Sequence, residues 1–150
     1  MGEPTDAGGR FWRLRDERRF LWLTQTHASA VVIVWHHLCP VCGPYKQTAQ
    51  RLAPRLASEQ ALGLGHIHLQ LPWMISAAGL HGDVEVENDF LTRYGIGEAV
   101  PTTLRFDHGV LQRSVIGALD EPQLRAFCAD GSVPLASTPL ELRATLQRPR

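Results

Sequence analysis

Residues 30–35 read Ala-Val-Val-Ile-Val-Trp, an uninterrupted apolar run rich in β-branched side chains. A strand with one wet face alternates polar and apolar residues; a run apolar on both faces belongs inside a sheet covered on both sides. Four residues past the end of that run comes Cys39-Pro-Val-Cys42. After it, Ala49, Leu52, Ala53, Leu56 and Ala57 recur at helical spacing, predicting an amphipathic helix over about 46–60 with Pro54 kinking it. A buried strand, a Cys-x-x-Cys and a helix in that order predict a covered α/β sheet with chemistry at a strand-to-helix turn.

The remaining elements follow from pattern and punctuation. Residues 13–25 pattern as a helix, with Leu14, Arg18, Leu21 and Trp22 near one stripe, after a loose tail at 1–12. Gly63 and Gly65 are expected to stop the second helix. The alternation of residues 66–71, His-Ile-His-Leu-Gln-Leu, reads as a half-covered strand. Asn88 or Asp89 is placed to cap a short helix through Tyr94, with Gly95 ending it. Two β-rich runs around Asp107-His-Gly109 predict a hairpin. Asp120, Glu121 and Pro122 open a helix with Leu124, Phe127 and Cys128 on one face. The domain is expected over 13–130, with a C-terminal extension at 131–150 that contains a short helix at 140–147. The expected architecture is a mixed sheet of four to five strands with helices on both faces.

The charges balance, 15 basic against 15 acidic residues. That excludes a strong basic field and with it nucleic acid or an anionic membrane as a partner on electrostatic grounds. The five arginines between Arg10 and Arg19 read as a solvated face. The polar start of the chain and the short Phe20–Leu23 run suit neither a secretory leader nor a membrane span, so the expected location is the cytoplasm. Three cysteines are too few for a disulfide scaffold, and in a reducing compartment they suggest catalytic or metal-binding thiols.

The two cysteines at 39 and 42 admit three chemistries. A thiol near a helix N-terminus is favoured as thiolate by free N–H groups and the helix dipole, and a second thiol within reach resolves a mixed disulfide. A zinc site would combine both cysteines with His36 or His37; without a second Cys-x-x-Cys, only the distant His66 and His68 could complete it. The third reading is two buried thiols without chemistry. Cys128, on a helix stripe, reads as core, and Trp12, Trp22 and Trp73 read as packing.

Trp35, four residues before Cys39, and the stretch 93–119, with its Tyr-Gly-Ile, Val-Pro-Thr, Phe-x-x-Gly and closing Gly-Ala-Leu, resemble the thioredoxin family over about three quarters of the chain. The resemblance implies a thioredoxin-like α/β fold and thiol–disulfide exchange with protein disulfides, fed by a reductase or thiol pool and needing no cofactor. By it, Cys39 attacks and Cys42 resolves. Val100 and a cis Pro101 hold the substrate strand, Trp35 supports the motif, and His36, His37 and Pro40 tune it. His36 and His37 are expected at the surface. The departures are Ile33 where the family keeps a buried acid, Leu38 in place of a tryptophan, an insertion at 72–87 and a late helix proline. No counterpart of the Gly-Gly-x-x-Asp that glutaredoxins use for glutathione is found. These departures keep a second reading open, a thioredoxin-fold binding or chaperone module with little redox turnover. An overlapping match, Cys42-Gly-Pro-Tyr45, would put a tyrosine in the resolving position and leave a monothiol.

Overall fold

The computed structural model describes residues 10–69, 89–96, 99–135 and 144–145. The insertion expected at 72–87 and most of the 140–147 stretch lie outside them. In chain order the elements are β1 (Trp12–Arg13), α1 (Glu17–Thr26), β2 (Ser29–Trp35), α2 (Cys42–Gln60), β3 (Gly63–His68), a 3₁₀ helix (Asp89–Tyr94), β4 (Ala99–Val100), β5 (Thr102–Asp107), β6 (Val110–Ile116), α3 (Glu121–Asp130) and β7 (Ala144–Thr145). Five strands form one mixed sheet in the order β1-β3-β2-β5-β6, and β4 pairs with β7 in a second, two-stranded sheet.

The apolar run sits where its composition requires, in the centre of the larger sheet. Strand β2 lies parallel to β3 and antiparallel to β5, with Val31 to Val34 all buried. Its pleat divides the side chains between two cores. Ala30, Val32 and Val34 pack with Phe20 and Leu23 of α1 and with Phe90 and Leu91 of the 3₁₀ helix. Val31 and Ile33 pack with Ala49, Leu52 and Leu56 of α2 and with Leu124 and Phe127 of α3. Burying a side chain of this size contributes about 1.5–3 kcal/mol, so burying the run on both faces favours a two-sided fold.

Several sequence expectations are corrected here. Phe11 and Trp12 belong to the fold and not to a tail: Phe11 is fully buried and Trp12 opens β1, pairing with Gly65. Helix α1 begins only after Asp16, whose carboxylate accepts the Arg19 N–H at 2.9 Å, so Leu14 packs from an extended segment. The third strand covers Gly63–His68 instead of 66–71, and it is buried on both faces along most of its length. Helix α2 ends on Ala61 in the left-handed conformation, and the two glycines expected to stop it are strand residues.

The reason for those glycines is packing. A Cβ on Gly65 would lie 2.9 Å from Leu14 Cδ1 and Leu23 Cδ2 and 3.1 Å from the Trp12 carbonyl oxygen; one on Gly63 would lie 2.9 Å from His27 and Leu23. The chain of β1 and the side chains of α1 come down onto β3 at these two positions. Gly65→Ala is therefore expected to destabilise the fold by about 1–3 kcal/mol through overpacking, read as a lower urea midpoint at unchanged slope.

Downstream, His108 and Gly109 both take positive φ between the paired ends of β5 and β6, as a two-residue hairpin demands. Asp120 and Gln123 form a reciprocal capping box at the start of α3. The buried Arg105 donates to the carbonyls of Phe127 and Cys128 at 3.0 and 2.8 Å, tying the hairpin to the end of that helix. Of the helix expected at 140–147, the described residues Ala144 and Thr145 are instead a strand, antiparallel to β4 with Val100 opposite Ala144. None of the described helices is long and apolar enough to cross a membrane.

Candidate active site

Strand β2 ends at Trp35 and the chain turns once before α2. The turn is closed by the Cys39 N–H to the His36 carbonyl at 3.1 Å and the Cys42 N–H to the Cys39 carbonyl at 3.2 Å. Val41 caps the helix, Cys42 is its first residue, and the first helical bond runs from the Tyr45 N–H to the Val41 carbonyl. Pro44 thus stands third in the helix, where an N–H would have no helical acceptor and its absence costs nothing. Pro44 therefore does not prevent the helix from starting at Cys42, four residues before the start that periodicity alone suggests.

Cys39 and Cys42 are joined as a disulfide, with Cα atoms 5.3 Å apart. Tyr45, the tyrosine of the overlapping motif, is buried in the opposite core with its hydroxyl 2.7 Å from Thr103 Oγ1, and burial pushes its pKa up. It faces away from the cysteine pair. Cys128 is core, as its helix stripe predicts, and burial pushes its thiol up to about 12.

The Val100–Pro101 peptide bond is cis, and the Val100 carbonyl oxygen lies 3.8 Å from Cys39 Sγ. The short strand β4 therefore runs past the disulfide, and the segment laid along β4 is the chain's own β7. Both sulfurs are covered: Cys42 is fully buried and Cys39 only 3 % exposed. Pro40 is exposed and Pro101 buried. The exposed Leu38 forms the outer shoulder of the turn. Ile33 is fully buried, and among the described residues the buried polar side chains include no carboxylate.

Trp35 is half-buried and touches both cores. Its Nε1 donates to His66 Nδ1 at 3.1 Å, its ring meets His68 edge-on at 4.8 Å, and Lys46 Nζ lies 4.8 Å from the ring centroid. The two histidines that follow it differ from the surface pair expected. His37 is exposed, but His36 is buried, with its Nδ1 accepting the Leu38 N–H at 3.1 Å.

His68, distant in sequence, joins them, because β2 and β3 run in parallel with Trp35 opposite His68. The three rings stack, with centroids 4.4, 4.7 and 5.0 Å apart. His37 Nδ1 is 2.8 Å from His68 Nε2. The spacing of His36, His37 and His68 carries no local signal of this cluster; the parallel register alone produces it.

Burial and, after it, the neighbouring histidines lower the pKa of His36 and of His68 from 6.5 to about 4. Both rings are neutral near pH 7, so His36 brings no positive charge to the thiols. The unfolded chain protonates these groups near pH 6.5 and the folded chain only near pH 4. Between those values the unfolded state binds more protons, so stability falls as pH is lowered through that window and is fully present above it. Urea midpoints in EDTA at pH 7.5 and 4.5 check this, and His68→Gln is expected to flatten the dependence.

No protein-family model matches the sequence, and no curated protein matches it. Solved structures do match in fold. Thioredoxin from Malassezia sympodialis superposes with a TM-score of 0.60 at 16% identity, covering 87% of this chain and 95% of that one. Spinach chloroplast thioredoxin f gives 0.60 at 15% identity over 83% and 96%. A point mutant of thioredoxin from Halobacterium salinarum gives 0.56 at 16% identity over 90% and 100%. The chain has a thioredoxin fold, and likeness at these identities is one of fold.

Proposed function

We propose that this chain is a cytoplasmic thiol–disulfide oxidoreductase that exchanges disulfides with protein substrates through Cys39 and Cys42. The observation that carries the reading is the joined pair at the strand-to-helix turn, with the β4 backbone passing 3.8 Å from Cys39. In the reduced protein the Cys39 thiolate attacks one sulfur of a substrate disulfide. A Cys39–substrate bond forms, and the other substrate sulfur leaves as a thiolate and takes a proton. Cys42, having given up its own proton, then attacks Cys39 Sγ and releases the second substrate sulfur. The substrate gains two electrons, the protein closes its disulfide, and a reductase or thiol pool returns the two electrons.

Cys39 is assigned the attack because it stands outside the helix beside β4, whereas Cys42 is locked in the first helical turn. Val100 and Pro101 hold the substrate strand, Trp35 supports the turn from the sheet, and His36, His37 and Pro40 set the local environment of the thiols. An extended substrate would add to the β4 edge by main-chain pairing. That edge already carries Ala144 and Thr145, so a substrate that pairs there competes with β7.

Insulin reduction with dithiothreitol tests the reading. The chain is expected to accelerate precipitation of the insulin B chain well above dithiothreitol alone. If neither the full chain nor a version ending at residue 135 does so, the redox reading fails and a binding module remains.

A further inference from the structure

We propose that His36, His37 and His68 form a binding site for a divalent late first-row metal ion, zinc or copper. This does not rest on the redox reading, since both cysteines are tied up in their disulfide. One ligand nitrogen from each histidine lies within 4.8 Å of the other two. Around tetrahedral zinc, with bonds of about 2.0–2.1 Å, ligand nitrogens stand roughly 3.3 Å apart. The His37–His68 pair, at 2.8 Å, is already within that spacing. The remaining edges close if the stacked rings fan out.

The backbone makes that movement small. His68 sits at the end of β3, held in the sheet by its pairing with Trp35, while His36 and His37 belong to the turn that follows β2. His37 is exposed, so its ring is free of core packing and the cluster opens to solvent on its side. Three contacts give way on loading: the side-chain hydrogen bond between His37 and His68, the one from the His37 backbone N–H to His68 Nε2 at 3.3 Å, and the one from the Leu38 N–H to His36 Nδ1. Each contributes about 1 kcal/mol net, far less than a three-nitrogen metal site supplies.

The ligand set decides the metal class. Three imidazoles without a carboxylate suit zinc, copper or nickel over magnesium or calcium. Three protein ligands also leave a fourth position for water. The site shares its turn with the cysteines, since the His36 carbonyl accepts the Cys39 N–H. An ion there would stiffen the segment that presents Cys39.

The test uses the oxidised, untagged full chain titrated with zinc chloride against a chromophoric chelator. Saturable binding of one ion per chain is expected, with at least a tenfold loss in His37→Gln and in His68→Gln. His37 is exposed, so its variant keeps the fold. A Cys39→Ser/Cys42→Ser chain is expected to bind as tightly as the oxidised wild type. The proposal is overturned if the oxidised chain binds no stoichiometric zinc, or if both histidine variants bind like wild type. Loss of binding in the cysteine-free chain overturns it as well, because the three imidazoles by themselves would then not make the site.

Discussion

Cys42→Ser is expected to trap a covalent mixed disulfide between Cys39 and its protein substrate, and Cys39→Ser is expected to trap none. Both variants should lose insulin turnover by roughly a hundredfold or more, about 2.7 kcal/mol in barrier terms. The asymmetry between them is the informative part. Cys42 is the first residue of α2 and is fully buried, whereas Cys39 precedes the helix and has Val100 for a neighbour. On the proposed mechanism an incoming disulfide laid along β4 would meet Cys39 first, and without Cys42 the resulting bond has no neighbouring thiol to resolve it, since Cys128 is buried in the other core. Non-reducing gels and mass spectrometry after incubation with substrate read the outcome. Trapping by Cys39→Ser instead would reverse the assigned roles, and trapping by neither would remove the mixed-disulfide mechanism.

Ending the chain at residue 135 is expected to raise activity. The ladder between β4 and β7 comprises two residue pairs, Ala99 with Thr145 and Val100 with Ala144. At about 1 kcal/mol net per hydrogen bond, displacing so short a strand costs about 1–2 kcal/mol, which is a factor of roughly five to thirty in an equilibrium constant. Removing it should raise kcat/KM for insulin by that factor, chiefly through KM, and speed alkylation of Cys39 in the reduced protein. A truncated chain with unchanged kcat/KM and unchanged alkylation would show that β7 does not compete with substrate.

What is legible in the sequence is local. The continuous apolar run at 30–35 can be satisfied only between two covering layers, and β2 is central with side chains in both cores. Asp107-His-Gly109 and Asp120 to Gln123 carry turn and cap chemistry within a few residues, and both form where that chemistry puts them. The start of α2 escapes the sequence pattern by four residues because periodicity counts apolar side chains, and Cys42, Gly43 and Pro44 supply none of the usual helical signal. The glycines of β3 mislead for the opposite reason: glycine ends helices by its freedom, but here it is used for its lack of a side chain under α1 and β1.

By itself the sequence determined the sheet covered on both faces, the hairpin, helix α3 and a cysteine pair at a strand-to-helix turn. All of these follow from hydrophobic period and turn chemistry over short distances along the chain. Tertiary structure alone decided three further things. It placed Tyr45 in the core and left Cys39 as the partner of Cys42. It brought His68 against His36 and His37 through the register of two parallel strands. It also laid residues 144–145 along the edge beside Cys39. Each joins residues tens of positions apart or turns a side chain to one layer or the other, and such choices are made by packing and strand register, which no local pattern encodes.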